Sequence, residues 1–208
     1  MLGRVTGLRE RKKLETRDAL VHAALALFEA KGVDATTVEE IAQHVDVSPR
    51  TFHRYFPAKE DVLFADADVR LQRFTEVLQA RPPGEPLLES LAAAAGEMAA
   101  VMVERTDDEQ RRLRVIRSNP GVRGRNLGYT DEWSTAVATH AALRLGQHPS
   151  DPLPILLGAC TIAALRTAIE RWLVAPHADY QAELAQSFVL LADLAAATES
   201  RRARVVAR

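Results

Sequence analysis

The stretch VSPRTFHRYFPAKEDVL, Val47 to Leu63, holds two arginines, a histidine and three aromatics between and around two prolines. It reads either as a packed helix with solvated charges or as a surface built to touch something. Ser48 is a natural N-cap, and Pro49 fits the first helical position, where a missing N–H costs nothing. Phe56-Pro57 ends the helix. At about 100° per residue, Phe52 and Phe56 share one side, and Arg50 and Arg54 lie on the other with His53 beside them. Arginine reads guanine O6 and N7 in bidentate fashion. Thr51, Tyr55 and Lys59 lie toward the edges, where hydroxyls and an ammonium can grip phosphates, and the helix start at Ser48 offers backbone N–H groups.

Upstream, TVEE from Thr37 to Glu40 is a capping box that opens a short helix with Val38, Ile41 and Ala42 inward. Before it, Leu20, Ala23, Ala24, Leu27 and Phe28 form the stripe of a helix expected over about 16–31, with Gly32 as its stop. Three short helices, the last two joined by HVDV, make a helix-turn-helix. A solitary amphipathic helix would favour solvated arginines. The short second helix, tight turn, capped third helix and acid-free basic face together favour DNA.

The 208 residues are 47% hydrophobic and 26% charged with a net charge of −1, as in an ordinary globular protein. The charge is uneven. Arg4, Arg9, Arg11, Lys12, Lys13 and Arg17 face only Glu10 and Glu15, and residues 48–59 carry Arg50, Arg54 and Lys59 without an acid. Such asymmetry points to a polyanion partner. The lone Cys160 permits no internal disulfide and fits a reducing compartment as a small buried hydrophobe. No signal peptide and no membrane span are expected.

Beyond residue 57 the sequence predicts a long fourth helix from Ala58 to about Ala80. A break follows at RPPGEP, residues 81–86. Five more helices come after it, over about 86–104, from the capping box TDDE to before Asn119-Pro120, 120–145, 152–175 and 178–200. Gly124 and Gly128 weaken the first half of the 120–145 helix. The fold expected is all-α with about nine helices. Residues 1–62 make a three-helix DNA-binding domain with a basic arm, and 63–208 a helical ligand-binding and dimerisation domain.

TRDALVHAALALFEAKGVDATTVEEIAQHVDVSPRTFHRYFPAKEDVL resembles the N-terminal domain of the tetracycline-repressor (TetR) family of bacterial transcription regulators, over roughly residues 13–64. The resemblance implies an all-helical homodimer that binds a palindromic operator and is released by a ligand entering the C-terminal domain. By position it assigns DNA contact to Thr37, Ser48, Arg50, Thr51, His53, Arg54, Tyr55 and Lys59. His53-Arg54-Tyr55-Phe56 departs from the Tyr-Tyr-His-Phe of many members, so base preference is this chain's own. The basic segment before Thr16 resembles the flexible arm that some members lay along a minor groove.

The segment Leu153–Leu173 is apolar on nearly all sides, and Leu184, Phe188, Leu191, Ala192 and Ala195 make a broad stripe on the last helix. Both suit a homodimer through the last two helices, with a self-contained bundle core as the alternative. Candidate pocket residues for a small hydrophobic or amphipathic effector are Met98, Met102, Leu113, Ile116, Trp133, Val137, His140, Cys160, Arg166 and Trp172. Arg166 lies within the long apolar segment, as an anchor for an anion or a partner of Glu170. Each of these residues also reads as ordinary core, and His140 as a helix-surface residue. The arginine-rich run from Arg111 to Arg125 reads as a solvated face ahead of a second polyanion site.

No enzyme is expected. There is no His-Glu-x-x-His, no Cys-x-x-Cys and no Gly-x-Ser-x-Gly, and GVRGRNLG lacks the dinucleotide spacing. No metal and no cofactor are expected. The competing reading is a helical adaptor or small-ligand module that never touches DNA. The location expected is the bacterial cytoplasm, at the nucleoid.

Overall fold

The computed structural model describes residues 7–103, 106–175 and 179–206, with side chains left out for 101–103, 106 and 195–206. Among the described residues there are nine α-helices and no strand. They are α1 (Leu8–Lys31), α2 (Val38–His44), α3 (Pro49–Tyr55), α4 (Ala67–Ala80), α5 (Leu87–Val103), α6 (Thr106–Ser118), α7 (Pro120–Leu145), α8 (Pro152–Val174) and α9 (Tyr180–Val206). The chain divides into two compact units. One holds the residues up to Ala67 with Asp107–Arg125, and the other Asp68–Thr106 with Asn126 onward.

In the first unit, Leu20, Ala24, Leu25 and Phe28 of α1 pack with Ile41, Ala42, Phe52, Phe56, Val62 and Leu63 as a buried core. Helix α1 stops where Gly32 turns to φ +87°, its N–H still bonded to the carbonyl of Phe28. A side chain there would meet no neighbour, so the glycine is required by conformation and not by space. Helix α1 starts two turns earlier than the stripe alone predicts. Arg11 pairs with Glu15 at 3.5 Å and the Thr16 hydroxyl donates to the Lys12 carbonyl at 2.8 Å, which extends the helix through residues with no core contact. From Leu8 onward, the segment expected as a flexible arm is therefore helix.

The fourth helix does not run from Ala58. A 3-10 helix spans Lys59–Phe64 and α4 begins at Ala67. The Asp61 carboxylate accepts from the Ala58 N–H at 2.8 Å, and Ala65 N–H bonds three residues back to Val62. The Arg17 guanidinium takes the Ala65 carbonyl and, at 2.9 Å, the Asp66 carboxylate. That carbonyl is drawn off to a side chain where a continuous helix would need it.

Helix α6 belongs to the first unit, far along the chain from the helices it joins. Arg112 donates to the Leu63 carbonyl at 2.9 Å and to Glu109, Asn119 donates to Asp34 at 3.3 Å, and Arg125 pairs with Asp61. Arg111 lies 3.7 Å from Glu29, and His22 lies 3.2 Å from Asp108. Much of the arginine-rich run is thus spent on internal ties. The cap expected at Thr106 falls on a side chain outside the described residues.

The second unit is a helical bundle in which α9 packs along α8 and α5. Helix α7 meets α8 at Gly158, where an added Cβ would lie 2.4 Å from the Ser134 carbonyl oxygen. Helix α8 is not buried all round. Its Leu153, Ile155 and Leu156 are exposed, as are Val189, Leu190 and Leu194 of α9. By length and composition α8 also qualifies as a membrane span, against the sequence expectation, with 28% of its apolar window buried within the chain. In this fold it is a bundle helix with one face packed on α9 and an apolar face outward. Ala192 is exposed and Leu191 half-buried, so the inner stripe of α9 narrows to Tyr180, Leu184, Ser187 and Phe188, and Ala195 lies outside the described side chains.

Candidate nucleic-acid interface

Helix α2 opens on the capping box read in the sequence. The Thr37 hydroxyl accepts from the Glu40 N–H at 3.2 Å, and Glu40 accepts from the Thr37 N–H at 2.8 Å. Glu40 also takes the Lys31 ammonium of α1. That contact first, and the Thr37 N–H after it, hold the Glu40 carboxyl down at about 2. The chain then turns through Asp46 at φ +55°, a left-handed position that aspartate tolerates better than most residues. Val47 N–H closes back on the Ala42 carbonyl at 3.0 Å. Ser48 caps α3 by accepting from the Thr51 N–H at 3.1 Å and meets the Thr51 hydroxyl at 3.0 Å.

Phe52 is fully buried and Phe56 nearly so, their rings 5.6 Å apart. The Arg17 guanidinium lies over the Phe56 ring at 5.9 Å. The opposite face of α3 presents Arg50, His53 and Arg54, all exposed. The Arg54 guanidinium lies 5.1 Å from the centre of the Tyr55 ring and 3.4 Å from its hydroxyl. The stack limits the conformers of a long side chain.

The eight predicted contact residues are therefore not alike. Arg50, His53 and Arg54 make no ion pair among the described residues and form one exposed cationic face. Thr37, Ser48 and Thr51 already serve as caps or cap partners. Tyr55 is half-buried beneath Arg54. Lys59 donates to the Thr36 carbonyl at 2.6 Å and to the Asp34 carbonyl at 3.3 Å, so it ties the α1–α2 loop to the 3-10 helix. One of its three donors is left over for a phosphate.

The neighbouring basic surface, expected as a flexible arm, is helical. Arg9, Lys12, Lys13 and Thr16 share with Arg54, Tyr55 and Glu10 an open groove of about 480 Å³. The i,i+4 pairing of Arg11 with Glu15 was the signal that this segment is helical and so fixed beside α3. Arg17 belongs instead to the internal tie with Asp66.

The ten predicted pocket residues are divided between the two units. Leu113 and Ile116 lie on α6 in the first unit, whereas Met98, Trp133, Val137, His140, Cys160, Arg166 and Trp172 lie in the second. Met102 is on α5 with its side chain outside the described residues. Arg166 is exposed on α8, and Cys160 is half-buried where full burial was expected. Trp172 is buried against Tyr180, ring centres 5.0 Å apart. His140 is not on the surface, since it is 9% exposed. Burial, and then the Arg144 charge, keep its imidazole below the usual value.

Residues 20–65 match the family model "Bacterial regulatory proteins, tetR family", and residues 85–196 match "MftR C-terminal domain". The HTH-type transcriptional regulator TcmR of Streptomyces glaucescens is 33% identical over 186 residues, 85% of this chain and 81% of that one. The transcriptional regulator MftR of Mycobacterium tuberculosis is 24% identical, over 78% of this chain and 82% of its own. Among solved structures, NalD, the secondary repressor of the MexAB-OprM multidrug efflux pump in Pseudomonas aeruginosa, shares the fold with a TM-score of 0.62 at 20% identity, over 85% of this chain and 93% of that one. With both of its parts matched and a relative aligned over most of its length, the chain belongs to the TetR family and is a DNA-binding transcriptional regulator.

Proposed function

We propose that the chain is a homodimeric repressor that holds a palindromic operator through α3 and lets go when a small hydrophobic or amphipathic molecule enters the bundle of α4, α5 and α7–α9. The observation that carries this is the acid-free face of Arg50, His53 and Arg54, aimed outward by the buried Phe52 and Phe56. Arg50 and Arg54 read base edges with His53, while Ser48, Thr51, Tyr55, Thr37 and the third N–H of Lys59 hold the backbone. Residues up to 62 supply the DNA-binding domain with its helical basic extension, and α6 couples to it through Arg112 and the start of α7 through Arg125.

The outward apolar faces of α8 and α9 support dimerisation through these two helices. Leu153, Ile155 and Leu156 beside Val189, Leu190 and Leu194 are too many large apolar side chains for a surface left in water. A twofold dimer sets the two α3 helices to meet half-sites about 34 Å apart. Its place of work is the nucleoid in the cytoplasm, and no chemical step is assigned to it.

The test is a footprint on the DNA upstream of the gene and its neighbours. Protection of an inverted repeat with half-site centres one helical turn apart is expected, with Arg50→Ala relaxing discrimination at one base pair per half-site. Protection of a single asymmetric site, or uniform coverage, would overturn the reading.

A further inference from the structure

The imidazole of His140 is 9% exposed, and its Nε2 is a fully buried atom with no hydrogen-bond partner among the described residues. Native folds rarely leave a buried polar atom orphaned, because the lost hydration costs more than a made hydrogen bond returns. His140 also has a definite setting. Trp133, Val137, His140 and Arg144 recur at i, i+4, i+7 and i+11 on α7 and so share one face of that helix. The Trp133 indole stacks on Phe74 of α4, ring centres 4.8 Å apart and 23° from parallel. Val137 is fully buried. At the far end Arg144 reaches the buried Ser90 of α5 at 3.5 Å and the Glu85 carbonyl. The stripe thus runs from an aromatic stack to an unused hydrogen-bonding nitrogen.

We infer that this stripe is the effector site and that the effector is an uncharged, planar aromatic compound bearing a hydroxyl. Its ring takes the place of Phe74 against the Trp133 indole, and its hydroxyl bonds to His140 Nε2. A hydroxyl suits the site because it both donates and accepts, and so meets either tautomer of a neutral imidazole. The inference rests on the reading of this bundle as the effector domain. Burial and the nearby Arg144 keep His140 in its neutral form at pH 7, which favours an uncharged partner.

The experiment uses the full chain and two simple probes, 1-naphthol and naphthalene, which differ by the hydroxyl alone. Equilibrium dialysis of the free protein is expected to show 1-naphthol binding about tenfold tighter, the worth of one buried hydrogen bond. His140→Phe removes the nitrogen but keeps an aromatic of similar size. It is expected to bring 1-naphthol down to the naphthalene level without lowering the melting temperature, while His140→Gln keeps most of the difference. Equal affinity of the two probes in the wild type, failure of both to bind, or discrimination that survives His140→Phe would each overturn the site. A fall in melting temperature with His140→Phe and unchanged probe binding would make the imidazole structural and also overturn it. Release of DNA is measured separately by anisotropy on the upstream fragment. A probe that binds through His140 yet leaves the DNA complex intact upholds the site and overturns release.

Discussion

Lys31, Thr37 and Glu40 meet at the start of α2, and one carboxylate serves both a cap and an ion pair between helices. The lowered Glu40 value means the folded state holds this proton more weakly than the unfolded chain. The stabilisation is fully present above the ordinary carboxyl value of 4.5 and is lost as pH falls toward about 2. Carboxyl-detected NMR titration is expected to give a Glu40 midpoint near 2 in the wild type and a clear rise in Lys31→Met, and a wild-type midpoint near 4.5 would contradict the geometry. Gly32 is the second residue on which the first unit depends. Gly32→Ala is expected to cost about 1 kcal/mol in thermal unfolding, because its φ of +87° is strained for any Cβ even though the space is open. These features were legible in the sequence because each is local. A capping box, a glycine stop and a Ser-Pro helix start are written within four residues of where they act.

Helices show where that legibility ends. The opposed faces of α3 follow from spacing alone, and the buried Phe52 and Phe56 against exposed Arg50, His53 and Arg54 are as the periodicity predicts. The break between the 3-10 helix and α4 does not follow from it, because its cause, the Arg17 bond to the Ala65 carbonyl, lies 48 residues away in sequence. The same holds for α6, joined to the rest of the first unit through Arg112 and a carbonyl 49 residues distant. Periodicity identifies an inner face but not which neighbour it meets. The α7–α8 contact is one such pairing. Gly158→Ala pushes a methyl to 2.4 Å from a backbone oxygen that has no rotamer to yield. It is expected to cost about 1–3 kcal/mol, read as a lowered denaturation midpoint with an unchanged slope. A stability equal to wild type would mean that the two helices pack further apart.

At the scale of the whole molecule, the apolar residues that α8 and α9 leave outward are the strongest evidence for a second copy. Leu156→Asp with Leu190→Asp is expected to halve the mass measured by light scattering while helical content holds, and a dimer that survives both charges would place the interface elsewhere. The sequence already leads to the expectation of that pairing and to Trp133, Val137 and His140 as pocket candidates, but it reads His140 as a surface residue where the structure buries it. Trp133 and His140 have the right spacing to share a face, but burial of the imidazole depends on what packs against that face, which its own helix does not announce. The central claim concerns DNA, and fluorescence anisotropy on the labelled upstream fragment at moderate salt tests it most directly. Arg50→Ala with Arg54→Ala, in a chain that keeps its fold and its mass, is expected to remove specific binding and leave only the weak, salt-sensitive binding of a basic surface. Specific binding that persists undiminished in that double variant would contradict the account.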